Sequence, residues 1–287
     1  MEREIPTAQF ERPLFASLAE LGDRFRAGHL DDLNREPVLG QGGRALRFAA
    51  QTPELLADGF HYEERIAEHG VIATREGNPH DLFNAWVWLR HTSLKRAMNS
   101  RQVADIARVG RKQRTRGQCA LTHFDEAGAV VWIAGADLLA AWDAHDWQVL
   151  FGAHGEAWGT RIAVTVIGHA LFEYALVHDA MPVARALAVV VDRQEIEGRS
   201  SNVASIPHWS EAEHSLSAKI ASGELLADPQ ELRPLPLAGI PGWHAGAHSA
   251  EFYTTEPCFR PLRSGRRYPP PSTFVAATRP SLVSASA

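Results

Sequence analysis

The sequence has little cysteine, no surplus of positive charge and no long apolar run. Its two cysteines, Cys119 and Cys258, are too few for a disulfide framework or a four-thiolate zinc site, and such sparse usage is typical of a reducing compartment. With 29 Lys and Arg against 34 Asp and Glu, the formal net charge is −5, which excludes a polycation that binds nucleic acid through its overall charge. No apolar run reaches the roughly 20 residues of a membrane span, and the N-terminus lacks the apolar segment of a secretory signal. We therefore expect a cytoplasmic protein without a transmembrane segment.

Two familiar catalytic motifs are also missing. The chain has no Gly-x-Ser-x-Gly sequence, so a serine hydrolase elbow is not indicated. Its glycine-rich stretch Gly40–Gly43 lacks the Lys-Ser/Thr pair that a phosphate-binding loop requires. Histidine (14) and tryptophan (8) are abundant instead, in a chain of 287 residues with ordinary apolar and charged content. That supply of histidine favours a search for metal ligands or a general base.

The patterning predicts an α+β fold that is mostly helical, with a small sheet. A helix should begin near Pro79, and a second buried helix is expected from Ile162 to Val177. Residues Gly117–Phe124 and Ala129–Ile133, joined by a turn that ends in Gly128, are predicted to form a β-hairpin. The continuous apolar run Ala186–Val191, which ends at Asp192 and includes three valines, is typical of a strand buried on both faces.

We expect one globular domain over residues 1–267 and a disordered tail over 268–287. The domain divides by composition into a helical part, a part with the hairpin and a helical core, and an extended proline-rich arm. These parts cover residues 1–90, 91–228 and 229–267.

The first candidate site lies at the predicted helix start. It comprises four side chains that can act as ligands, bases or hydrogen-bond partners: Glu76, His80, Asp81 and Asn84. His80 and Asn84 are one helical turn apart and should share a face. A capped helix start would use the same residue types, so a purely structural role is an equal alternative.

Two further candidate positions lie downstream. His169 and Glu173 are four residues apart, a spacing that suits two ligands of one metal, a carboxylate that orients a histidine base, or a structural hydrogen bond. Asp125, at the end of the predicted strand, could reach into the same site or simply form the turn. We take His80, Asp81, His169 and Glu173 as candidate ligands of a divalent metal ion.

A basic segment interrupts this mildly acidic chain. Between Arg90 and Arg116 there are nine Lys or Arg and one acid, Asp105, so this segment has a net charge of +8. Because the whole chain has a net charge of −5, the remaining residues have a net charge of −13. Such a segment is either a solvated helix face or a docking surface for anions. Small phosphate-bearing molecules and the backbone of duplex nucleic acid both fit it, whereas single strands lack stacking aromatics there. The candidate anion-binding residues are Arg96, Arg108, Arg111, Lys112 and Arg114.

Four segments together resemble a bacterial family known only as domain-of-unknown-function family 3025. They are Thr74-Arg-Glu-Gly-Asn-Pro-His-Asp-Leu-Phe-Asn-Ala85, Ala120-Leu-Thr-His-Phe-Asp-Glu-Ala-Gly128, Gly168-His-Ala-Leu-Phe-Glu173, and Leu235-Pro-Leu-Ala-Gly-Ile-Pro-Gly-Trp243 with Phe252-Tyr253 and Phe259-Arg-Pro261. The resemblance implies a bacterial protein of cytoplasmic type with a single integrated domain. It implies no reaction.

Two functions compete at this point. The first is a metal-assisted hydrolase or phosphoesterase that acts on an anionic substrate, with the basic segment recruiting that substrate. The second is a non-catalytic binding or scaffold protein, in which the same polar residues form a buried network and the basic segment docks an anionic partner. The first function requires His80 and His169 to lie close together, because metal–ligand bonds are only about 2 Å long.

Overall fold

Two β-sheets organise the part of the chain described in this computed structural model. The described residues are 5, 7–25, 29–35, 38–39, 43–176, 181–196, 209–244 and 249–276. The smaller sheet has the order β1-β2-β3, and the larger has the order β5-β4-β6-β7, with β8 also paired to β6. The strands are β1 Val38–Leu39, β2 Ala45–Ala50, β3 Val71–Thr74, β4 Gly128–Ile133, β5 Ile162–Val166, β6 Val183–Val190, β7 Arg233–Pro236 and β8 Ser272–Thr273.

Helices account for most of the remaining regular structure, so the predicted mostly helical α+β class is confirmed. They are α1 Ala19–Phe25, α2 Leu30–Leu33, α3 Pro53–Leu56, α4 Tyr62–His69, α5 Pro79–Arg90, α6 Thr92–Val109, α7 Arg116–Ala127, α8 Ala136–Asp143, α9 His169–Ala175, α10 Trp209–Ser222 and α11 Phe252–Thr255. Short 3₁₀ turns and one π-helical segment, Gln148–Ala153, complete the regular structure of the described residues. No described helix is both long and apolar enough to cross a membrane.

Strand β4 lies at the centre of the larger sheet. All six of its residues are buried, it runs parallel to β6, and it runs antiparallel to β5. Strand β6 confirms the strand predicted near Ala186–Asp192 and is likewise mostly buried. Strand β7 carries Pro234 and Pro236 at the sheet edge, where a missing N–H is tolerated. Leu235 of β7 is fully buried, and this burial packs the proline-rich arm against the core.

Helix α5 begins where the sequence predicts it. Pro79 occupies the first turn, and the Asn78 side chain accepts a hydrogen bond from the Asp81 N–H. The helix then buries Trp86 and Trp88 completely or almost completely. Because the apolar side chains of α5 pack in the core, the polar first turn of this helix is fixed in position.

The predicted β-hairpin is wrong at its first strand. Residues 116–127 form helix α7, which starts with a reciprocal capping box between Thr115 and Gln118. The apolar residues Ala120, Leu121 and Phe124 are buried on one face of this helix. Asp125 therefore lies in the last turn of a helix and not at a strand end. Strand β4, the predicted second strand, pairs antiparallel with the following strand β5 instead.

The predicted buried helix from Ile162 to Val177 is half wrong. Its first five residues form strand β5 in the larger sheet, and only residues 169–175 are helical, as α9. The β-branched residues of Ile162–Val166 favour the strand, and the N–H of Gly168 then bonds to the Gly128 carbonyl oxygen before the helix starts. Residue 177 lies outside the described residues.

The start of the predicted disordered tail is ordered. Ser272–Thr273 pair with β6, and Phe274 is buried against the core. The Lys219 ammonium also donates to the Ser272 hydroxyl. The predicted tail therefore does not hold for residues 268–276, and the remainder lies outside the described residues.

Candidate functional site

Three helix ends meet at one side of the larger sheet. The first turn of α5 carries His80, the last turn of α7 carries Asp125 and Glu126, and the first residue of α9 is His169. Glu173 lies one turn further along α9. These residues are distant in sequence, so the fold alone brings them together.

Two glycines allow the helix ends to approach. A Cβ placed on Gly168 would collide with the backbone of Ala127 and Gly128, and one on Gly128 would collide with Phe124. Because neither collision arises with glycine, the start of α9 lies directly against the end of α7. The backbone contact thereby places His169 beside Glu126.

The two histidines face one another through the same ring nitrogen. Nε2 of His80 and Nε2 of His169 lie 3.0 Å apart, with ring planes at 80°. One carboxylate oxygen of Glu126 lies 3.9 Å from His80 Nε2 and 3.6 Å from His169 Nε2. These three ligand-type atoms form the one group within the described chain that is suited to hold a metal ion.

Carboxylates face the opposite ring nitrogens. Oε2 of Glu173 lies 2.7 Å from His80 Nδ1, a hydrogen bond that fixes the ring and its tautomer. Oδ2 of Asp125 lies 3.9 Å from His169 Nδ1, and that nitrogen has no hydrogen-bond partner among the described residues. Both rings thus point Nε2 at the same space and Nδ1 at an acid, the arrangement that metal-binding histidines usually have.

A buried lysine, Lys95, contacts Asp125, the acid that faces His169. Lys95 on α6 is 3% exposed, and its ammonium donates to Asp125 over 2.5 Å and to the Asn84 side-chain oxygen over 2.8 Å. Asn84 in turn donates to the Tyr62 hydroxyl over 3.0 Å. The ammonium also lies 5.3 Å from the centre of the Trp88 ring. The network holds Asp125 in place and balances its charge.

The environment sets the protonation states. Burial lowers the pKa of His169 to about 4, with Lys95 acting in the same direction and Asp125 opposing it. Burial would raise the pKa of Asp125, but the charge and the hydrogen bond of Lys95 outweigh that effect, and the pKa is lowered. Burial raises the pKa of Glu126, and the neighbouring Asp125 adds to this shift. At neutral pH His169 is therefore a neutral imidazole with a free lone pair, and Asp125 is a carboxylate.

The other predicted residues of the first cluster lie in different roles. Both oxygens of Asp81 accept hydrogen bonds from Arg75, including one from its backbone N–H. Asp81 is therefore bonded to Arg75 and not to the histidines. Asn84 lines the cleft and bonds to Lys95. Glu76 is exposed and is not among the residues that line the cleft.

The basic segment is largely neutralised. Asp105 pairs with Arg108 at 2.7 Å, Glu64 with Arg111 at 2.8 Å, and Asp125 with Lys95. Arg116 pairs with Asp228 in the same way.

Of the five candidate anion-binding residues, two line the cleft. Arg114 bonds to the Thr122 hydroxyl and has no carboxylate partner among the described residues, while Arg111 lines the cleft with its charge already paired. Arg96 lines a different and very small cavity, and Lys112 is exposed. Of the two candidates that line the cleft, Arg114 is the one whose charge has no acidic partner among the described residues.

Sequence reasoning missed Glu126 and Lys95 as parts of this site. The sequence pattern predicts a strand over residues 117–124, followed by a turn. In such a turn nothing favours Glu126 over Asp125 as a site residue. The Thr115–Gln118 capping box was the signal that could have revealed the helix and placed both acids in its last turn. Lys95 was counted only as part of a basic run.

The comparisons with known proteins identify a family and no activity. The family described as "Protein of unknown function (DUF3025)" matches residues 46–263. The chain belongs to this family. The match covers His80, Glu126 and His169 and all the supporting residues named above. Neither a curated protein nor a solved structure matches the chain.

Proposed function

We propose that this chain is a metal-dependent hydrolase that acts on an anionic substrate, with His80, Glu126 and His169 holding a divalent metal ion. One observation carries the proposal: two histidines 89 residues apart meet at 3.0 Å through Nε2 beside a carboxylate, and each turns Nδ1 toward another acid. Histidines that bind a metal commonly have a carboxylate beside the ring nitrogen that faces away from the ion.

The spacing of the three atoms fits a small tetrahedral ion. Metal–ligand bonds of about 2.0–2.1 Å in tetrahedral geometry separate ligand atoms by roughly 3.3 Å. The observed separations of 3.0, 3.6 and 3.9 Å bracket that value. Two histidines and one glutamate leave a fourth position open, as catalytic zinc sites do. A metal bound there would lower the pKa of its water and polarise a substrate oxygen.

The cleft around this group suits a small anionic substrate. Its volume of about 530 Å³ lies in the range of small-molecule sites. Arg114 borders it without a carboxylate partner among the described residues and is positioned to bind a phosphate or carboxylate remote from the metal. Glu173 orients His80 through a hydrogen bond, Asp125 faces His169 Nδ1 at 3.9 Å, and Lys95 keeps Asp125 ionised.

Of the predicted ligands, the proposal keeps His80 and His169, replaces Asp81 by Glu126, and gives Glu173 an orienting role. Asp81 is committed to Arg75 through both oxygens. Glu173 contacts the nitrogen of His80 that faces away from His169. The predicted cytoplasmic location belongs to the same proposal, and it rests on the two unpaired cysteines, Cys119 and Cys258.

The non-catalytic alternative rests on the buried network of Lys95, Asn84 and Tyr62, which would also fix helix packing in a scaffold protein. It assigns no role to the open cleft or to the pairing of Nε2 atoms. Under that alternative, replacement of His169 costs stability and nothing else.

The test is a hydrolase screen with phosphomonoester, phosphodiester and carboxylate-ester substrates, run after chelation and again after Zn²⁺ or Mn²⁺ is restored. We expect activity that is lost on chelation, recovered with metal and absent in His169→Ala. His123→Ala is the matched control, because His123 is exposed on α7 and does not line the cleft. A folded His169→Ala protein that retains full activity would overturn the proposal.

A further inference from the structure

A second and larger cleft lies between strand β6 and the C-terminal segment. Its volume is about 810 Å³, and it shares no lining residue with the cleft that contains the histidines. Four arginines line it: Arg185, Arg260, Arg263 and Arg266. Arg185 lies on β6, and the other three follow α11 within seven residues of one another.

The positive charge of this cleft is only partly compensated by described residues: Asp228 lies near enough to Arg266 for that charge to lower the Asp228 pKa, and the Arg266 guanidinium donates to the Gln230 carbonyl oxygen over 2.6 Å. None of its described lining residues is an Asp or Glu, and none of the four arginines forms an ion pair with a described carboxylate. In a chain with a formal charge of −5, four such arginines in one concave surface are a strong local excess. Guanidinium groups bind phosphate and carboxylate in paired hydrogen bonds, so the natural occupant is an anion with more than one charge.

Aromatic side chains line the same cleft. Tyr174 is 55% exposed, which is unusual for a large ring on a well-packed helix. Tyr268 lies beneath the guanidinium of Arg266, 4.4 Å from the ring centre, and Trp147 lines the wall nearby. An exposed ring beside arginines offers a stacking surface for a planar group.

The wall that carries these groups is rigid. The His145 ring contacts the Arg260 carbonyl oxygen at 3.0 Å and the Tyr268 hydroxyl at 2.8 Å. The Trp147 indole N–H donates to the same carbonyl oxygen over 3.0 Å. His145 adopts a positive φ of 55°, a conformation that costs energy in a residue other than glycine and is maintained here by these contacts. The chain at Arg260 is thereby fixed against α8 and its following segment before any ligand binds.

We propose that the second cleft binds a small organic anion that combines a planar ring with several negative charges, the chemistry of a nucleoside polyphosphate. The arginines would bind the charged end, and Tyr174 would stack on the ring. The volume suits a ligand of that size. This proposal is independent of the metal site and of the hydrolase reaction.

The experiment is isothermal titration calorimetry with ATP in the presence of EDTA, so that no metal bridges the ligand to the histidines. Inorganic tripolyphosphate and adenosine are titrated as separate arms. Arg185→Gln and Arg266→Gln are each expected to weaken ATP binding about tenfold or more, since each removes a charge-assisted contact. Arg47→Gln is the matched control, because Arg47 is also an exposed arginine on a strand but lines neither cleft.

A second set of variants separates the two parts of the ligand. Tyr174→Ala should lower the affinity for ATP toward that for tripolyphosphate and leave tripolyphosphate binding unchanged. His169→Ala should bind ATP as the unaltered chain does, which assigns binding to the second cleft. The proposal is overturned if ATP shows no saturable binding at millimolar concentration, if Arg47→Gln weakens it as much as Arg185→Gln, or if tripolyphosphate binds as tightly as ATP.

Discussion

The two clefts use charge in opposite ways. In the first, Lys95 pairs with Asp125 and Glu173 contacts His80 Nδ1, while Arg114 at the border of the cleft has no carboxylate partner among the described residues. In the second, arginines gather without a carboxylate among the described lining residues. Balanced charge fixes side chains in a set geometry, which suits a site that must position a metal. Unbalanced charge leaves donors free for a ligand. The comparison teaches that a charge is informative only once its neighbours in space are known.

The largest expected effect falls on the balanced cleft. Lys95→Met leaves the Asp125 carboxylate without its main partner, and we expect a loss of about 3–5 kcal/mol in the free energy of unfolding, typical of breaking a buried ion pair. Chemical denaturation measures this loss. The control is Lys112→Met, an exposed lysine of the same basic segment, which should change stability by less than about 0.5 kcal/mol. A loss below about 1 kcal/mol for Lys95→Met would contradict the balanced description of this cleft.

A smaller effect is expected from the orienting acid. Glu173→Gln removes the carboxylate from His80 Nδ1 and should weaken zinc binding about 10- to 100-fold, the usual result of losing such a partner. Competition with a chromogenic chelator measures the affinity. Glu76→Gln, the same change at an exposed acid outside the cleft, should have no effect. Equal affinities for the two variants would show that Glu173 does not orient the ring.

Salt should separate the clefts further. Raising NaCl from about 0.05 to 0.5 M shortens the screening length and should weaken ATP binding in the second cleft several-fold, because its arginines are mostly exposed. Zinc binding should change less, since His169 is buried and its ligand bonds are short. Titrations of each ligand at both salt concentrations test this. Parallel losses for zinc and ATP would remove the distinction between the two sites.

The smallest effect concerns the thiol of the second cleft. Burial raises the pKa of Cys258 to about 11, and only the thiolate reacts with iodoacetamide. The folded protein should therefore be alkylated slowly at Cys258 at pH 7.5, and the rate should rise as the pH approaches about 11. Mass spectrometry of the Cys258 peptide follows the reaction, with denatured protein as the reference. Alkylation of folded and denatured protein at the same rate would contradict this environment.

Local signals in the sequence predicted much of the fold. Pro79 and Asn78 mark the start of α5, and the apolar run at 186–190 marks a buried strand, because each depends on neighbours in the chain. The hairpin was wrong because residues 117–124 have an apolar pattern that fits either a strand or a helix, and the cap at Thr115 decides between them. Such capping is local, so the sequence itself contains the signal that favours the helix.

The site depended on contacts that no local pattern encodes. The sequence predicts His80 and His169 as a pair to test, and the structure brings them together, but Glu126 joins them only through the close approach at Gly128 and Gly168. Several charges of the basic segment are paired with acids that lie far away in sequence, such as Glu64 and Asp228, and no local pattern shows this. The arginines of the second cleft are spread from 185 to 266 and form no visible run.

The central claim is that His80, Glu126 and His169 hold one metal ion. Elemental analysis after equilibrium dialysis against zinc tests it most directly, with the unaltered chain, a His80→Ala/His169→Ala double variant and His123→Ala measured side by side. We predict one zinc per chain for the unaltered protein and for His123→Ala, and none for the double variant. Equal zinc content in a folded double variant, or no zinc in the unaltered chain, would contradict the claim.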